Sequence, residues 1–135
     1  MEKTKNIKLE CPLFVMLERK TKKDRKVHIN LNTYRNLQYI VENQTKKKFK
    51  EIMRPQLEGI ILDTPVEVTY QVFKGSRHKS DKMNFVSICS KYLMDAITEF
   101  GCWSDDNDDI IKKETILPSS FDKENPRIEV IIQSI

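Results

Sequence analysis

From Val66 to Lys74 the side chains alternate, with Val66, Val68, Tyr70 and Val72 on one parity and Glu67, Thr69, Gln71 and Phe73 on the other. Successive strand side chains point to opposite faces, so this period of two predicts a half-buried strand. A helical pattern follows over Lys82 to Phe100, where Phe85, Ile88, Cys89, Tyr92, Ala96 and Phe100 form an apolar stripe. Gly101 supplies a natural left-handed stop. A strand and a helix that each bury one face need each other, which calls for a layered domain.

The flanking segments fill in the layers. Ile7 to Leu17 and Val27 to Leu31 are rich in strand formers, and the polar stretch Glu18 to Lys26 between them reads as a basic hairpin loop. Thr33 to Arg54 predicts one long helix, with Asn30 or Asn32 as its cap and Pro55 as its end. Its apolar stripe is Tyr34, Leu37, Ile40, Val41, Phe49, Ile52 and Met53. Strands are expected at Asp109 to Leu117 and Arg127 to Gln133. The order β-β-α-β-α-β-β predicts a small single α+β domain over residues 1–135, with two main helices packed on a mixed β-sheet.

Charge divides along the chain. Residues 1–54 hold 15 Lys/Arg against 6 Asp/Glu, whereas residues 81–135 hold 6 against 11. Folded into one domain, such halves offer a polyanion-binding surface beside an acidic cluster; the plainer reading is an unevenly charged solvated surface. At about 100° per residue, Lys46, Lys47, Lys50 and Arg54 fall on one arc of the first helix, a ridge that either tracks phosphates or faces solvent. Lys22 and Lys23 in the hairpin loop, and Arg77 and Lys79 in the turn after the alternating strand, are further candidate phosphate contacts. His78 in that turn reads as an exposed surface residue.

Several chemistries are disfavoured. Three scattered glycines leave no Gly-rich phosphate loop, and neither His28 nor His78 makes an evident base for a Ser or Cys nucleophile. Cys11, Cys89 and Cys102 fit neither a disulfide framework nor a zinc site and are expected to be buried thiols. No apolar run is long enough for a membrane span, and Glu10 and Pro12 interrupt the only candidate signal stretch, so a cytoplasmic protein is expected.

The acidic residues carry the sharpest signal. Asp105, Asp106, Asp108 and Asp109 crowd one loop around Asn107, and their mutual repulsion costs stability unless a cation or a basic partner offsets it; the plainer reading is an acidic surface loop. A calcium loop is ruled out, because its sixth and twelfth positions would be Ile110 and Ile116. Asp81, Asn84, Lys91 and Asp95 share one face of the second helix, where Lys91 and Asp95 are also spaced as a surface ion pair. Mg²⁺ takes one or two carboxylates plus substrate oxygens. Asp81 and Asp106 would converge on one ion if the strand after the helix returned beside the end of the strand before it.

This run resembles the RusA-type Holliday-junction resolvases. Asp81 with Asn84, then Lys91, then Asp95-Ala96-Ile97, Gly101 and the pair Asp105-Asp106 follow the order of that family's pattern. The stretch Asn30 to Asn36 and the ending from Asp122 to Ile132 are also similar to phage members. The resemblance implies a homodimeric, Mg²⁺-dependent endonuclease (Mn²⁺ substituting) that nicks four-way DNA junctions symmetrically, leaving 5′ phosphates and 3′ hydroxyls. It implies Asp81, Asp105 and Asp106 as metal ligands, Lys91 at the scissile phosphate and Asn84 as a substrate contact. The chain departs from the pattern at Met83, where the family has a carboxylate, and in an Asn84-to-Lys91 spacing one helical turn longer. A branched-DNA-binding homologue with little or no catalysis is the alternative, and an interaction protein using its charge asymmetry is a third.

Overall fold

The computed structural model describes residues 4–62, 64–77, 79 and 81–135. The elements in chain order are β1 (Asn6–Cys11), β2 (Phe14–Leu17), β3 (Arg25–His28), α1 (Leu31–Asn36), α2 (Tyr39–Leu57), β4 (Val66–Lys74), α3 (Lys82–Glu99), β5 (Ile111–Ile116), β6 (Ser120–Phe121) and β7 (Arg127–Ser134). The α+β class with a mixed sheet is as expected. His78 lies outside the described residues.

The main sheet runs β1-β7-β4-β5, with β6 continuing the β5 edge against the end of β4. β7 is antiparallel to both neighbours, while β5 and β6 run parallel to β4. The alternation seen in β4 is realised: Val66, Val68, Tyr70 and Val72 are buried beneath α3, together with Ile128, Val130 and Ile132 of β7 and Leu9 and Cys11 of β1. Tyr70 locks the layers together. Its hydroxyl sits 2.9 Å from Ser90 Oγ on α3 and donates to Glu114 of β5 at 3.1 Å. Burial first, then the Glu114 charge, push its pKa well above the usual phenol value.

Two expectations near the N-terminus are corrected. The apolar stretch Ile7 to Leu17 is two strands, not one. Pro12 cannot donate to a ladder, and the chain turns there out of the main sheet. β2 and β3 make a separate hairpin with the basic loop at its tip, as expected. The single long helix is also two: it breaks at Leu37 and Gln38, both in extended backbone. Asn30 caps α1 by accepting from Thr33 N at 2.8 Å.

Nor does Pro55 end α2. The helix continues to Leu57, whose side chain is fully buried, and core packing holds the last turn despite the missing N–H. The buried stripe of α2 is Thr45, Phe49, Met53 and Leu57, leaving Ile40 and Ile52 exposed. Phe49 meets Tyr92 of α3 edge-on at 5.7 Å. Burying a side chain of this size contributes about 2–3 kcal/mol relative to exposure. The face of α3 turned from the sheet is thereby covered by α1 and α2.

Candidate functional site

α3 carries a carboxylate station at each end. At its start Asp81 is the N-cap, its Oδ1 accepting from Met83 N at 2.9 Å. Asn84 follows on the first turn, and its Oδ1 accepts from Asn32 N at 3.2 Å, tying α3 to α1. A groove opens here, walled by Arg35, Lys79, Asp81, Met83, Asn84 and Ser87. Met83, which stands where the resolvase pattern has a carboxylate, is exposed.

The second station is the loop after α3. Cys102 and Trp103 are buried, Trp103 donating to Thr98 Oγ1 at 2.8 Å, and these anchors push the following residues into solvent. Asp105 accepts from Asp106 N at 2.8 Å and from Asn107 Nδ2 at 3.2 Å, while Asn107 accepts from Asp109 N at 3.0 Å. The loop thus offsets part of its own repulsion. The Asp106 N–H first, then Asn107, hold the Asp105 carboxyl below the usual carboxylate range. Asp106 and Asp108 line a shallow concavity with Lys112 and Lys113 of β5.

The two stations do not converge within one chain. Because β5 pairs with β4 in parallel, Ile111 lies beside Val66, at the opposite end of β4 from Lys74. Eighteen residues of helix, about 27 Å at 1.5 Å per residue, separate Asp81 from the loop that holds Asp105 and Asp106. Among the described residues no group of three or more His, Cys, Asp or Glu is placed to hold a metal ion. Within one chain the described residues therefore do not assemble the Mg²⁺ site that the resemblance implies.

Lys91 is also apart from both stations. It lies ten residues past Asp81, about 15 Å along the helix, with its ammonium 6.0 Å from the Tyr34 ring centroid. Asp95, on the same face, is not paired with Lys91. Lys46 reaches across from α2 and takes it at 2.8 Å, and this hydrogen bond raises the Lys46 pKa.

Part of the positive ridge read on α2 is tied to α3 in the same way. Lys46 is paired with Asp95 and Lys50 with Glu99, so two of its four cations meet α3 carboxylates. Arg54 stacks over the Phe100 ring at 4.8 Å. Lys47 stays exposed and shares a groove with Met16, Leu17 and Glu18, where β2 runs into the hairpin loop. Lys22 and Lys23 are exposed at the hairpin tip, where Arg19 Nε donates to the Lys23 carbonyl at 2.7 Å. Arg77 lies 4.3 Å above the Phe121 ring.

The three cysteines are buried and unpaired, as expected. Among the described residues no helix is long and apolar enough to cross a membrane. Arg35 was not singled out in the sequence. It sits within the Asn30 to Asn36 stretch that carries part of the resemblance, but only the packing of α1 on α3 brings it to Asp81. The separation of the two stations did leave a signal: a strand, a long helix and a second strand read as a parallel crossover, which puts the two strand–helix junctions at opposite ends. No protein-family model matches the chain, and no curated protein matches it in sequence.

Proposed function

We propose that the chain is a RusA-type, divalent-metal-dependent endonuclease acting on four-way DNA junctions, in recombination, repair or phage DNA processing, and that it works as a homodimer. The observation that carries this reading is the pair of carboxylate stations at the two ends of α3, each beside exposed cations: Arg35 and Lys79 at one, Lys112 and Lys113 at the other. Carboxylates beside cations suit a metal and the phosphate it serves.

Since one chain cannot bring its own stations together, a metal site using both needs two chains. One would contribute its Asp81 and the other its Asp105 and Asp106. A twofold arrangement makes two such sites, one for each nicked strand. A divalent cation bound there would lower the pKa of water and offset charge at the phosphate. The protein's own part is to hold the carboxylates and bind the junction arms with Lys22, Lys23, Lys47, Arg77 and Lys79.

Exposed Met83 favours a second reading, a branched-DNA-binding homologue with weakened catalysis. One experiment separates the two. A labelled four-way junction is incubated with the protein and Mg²⁺ or Mn²⁺, beside Asp106→Asn. Paired nicks lost in the variant support the nuclease. Tight, salt-sensitive binding without nicks by either protein selects the binding homologue, and no preference for the junction over linear duplex defeats both.

A further inference from the structure

We infer that the groove at the start of α3 grips a phosphodiester of the DNA, and that Arg35, not Lys91, is the cation that meets it; the identity of the substrate rests on the nuclease reading above. Three features of the groove point to an anionic oxygen ligand. Arg35 is exposed on α1 and makes no ion pair or hydrogen bond among the described residues, though it shares the groove with the Asp81 carboxylate. Its guanidinium fork matches two phosphate oxygens at once, a geometry that an ammonium lacks. Asn84 is fixed by accepting from Asn32 N, so its amide Nδ2 is left to donate. Ser87, on the groove wall one turn further along, has a buried Oγ with no hydrogen-bond partner among the described residues. An orphaned buried hydroxyl of this kind is uncommon, and turning its side chain to another rotamer would bring it to the groove to donate to a ligand oxygen.

The other cations are less suited. Lys91 is not among the side chains that line the groove, and its ammonium lies 6.0 Å from the Tyr34 ring centroid. Lys46 and Lys50 are committed to Asp95 and Glu99. The helix break at Leu37 and Gln38 gives the arrangement its cause. It frees α1 from the line of α2 and lets it lie across the start of α3, with Arg35 over the groove. The Asp81 carboxylate would by itself repel a phosphate. Its Oδ1 is engaged by Met83 N while its Oδ2 has no partner among the described residues, so it is placed to hold a cation between itself and the phosphate.

The test compares Arg35→Ala, Arg35→Lys and Lys91→Ala with the native chain in junction binding and nicking, and maps amide shifts on adding tetrathymidylate. Arg35→Ala should weaken junction binding about ten- to a hundredfold, as expected for a lost charged hydrogen bond, and lower the salt slope by about one. Arg35→Lys should restore the slope but only part of the affinity, and Lys91→Ala should leave the tetrathymidylate shifts of the groove amides as they are in the native chain. Tetrathymidylate should shift the amides of residues 35, 84 and 87. Arg35→Ala binding as the native chain does, loss of the groove shifts in Lys91→Ala instead, or no shift in the groove would each overturn the inference. If the groove shifts but the native chain never nicks a junction, the nuclease reading fails and the phosphodiester site stands.

Discussion

Arg127 shows how much one side chain can organise. On β7 it donates to Asp122 at 2.9 Å and to Glu129 at 3.0 Å, and its guanidinium lies 4.1 Å above the Phe73 ring. Lys8 of β1 adds a second cation 3.3 Å from Glu129. Burial opposes ionisation of Glu129, but Arg127 and then Lys8 outweigh it and hold its pKa below the ordinary 4.5. A carboxyl with a lowered folded pKa contributes stability that is present above its unfolded value and lost as pH falls through the folded one. Arg127→Met should therefore cost about 1–3 kcal/mol at neutral pH, with the gap from the native chain closing below about pH 4. Urea melts across that range check it, and a gap independent of pH would mean that Arg127 acts by packing on Phe73 alone. None of this was legible beforehand. The alternation of β7 placed Arg127 and Glu129 on one face, but the partners Asp122, Lys8 and Phe73 come from a loop and two other strands.

At the scale of elements, legibility followed local signals. β4, β7 and α3 carried their own periodicity, and Gly101, with φ of 75°, marked the end of α3 as a left-handed stop should. The break between α1 and α2 carried none, because Leu37 and Gln38 are neither glycine nor proline and the helical spacing runs across them. Pro55 misled in the opposite direction: its local rule was overridden by the burial of Leu57. The unmarked break left a weak point, since Gln38 begins α2 with no side-chain hydrogen bond to the free N–H groups. Gln38→Ser should supply that cap and stabilise the protein by about 0.5–1 kcal/mol, whereas Asn30→Ala, which removes the bond to Thr33 N, should cost about 1 kcal/mol. Thermal melts of the two variants test this, and a Gln38→Ser protein no more stable than the native chain would mean that the α2 start cannot adopt cap geometry.

The whole molecule decides what its candidate site can be. Asp81, Asp105 and Asp106 were each legible from residue type and order, but their distance depends on strand direction, a property of the assembled sheet. With β5 parallel to β4, the carboxylates stand at opposite ends of α3, and their cooperation becomes a question of two chains. Mixing inactive variants answers it. Asp81→Asn and Asp106→Asn proteins should each fail to nick a four-way junction alone. If the site is shared, a mixed dimer holds one site with both substitutions and one with neither, so co-refolding the two should recover single nicks. The recovered activity should approach about half that of the native chain per mixed dimer, with paired cuts still absent, since only one of the two symmetric sites is whole. If each site lay within one chain, every site in the mixture would keep one substitution and no nicking would return. Recovery without mixing would remove both residues from the site, because neither substitution would then have disabled it.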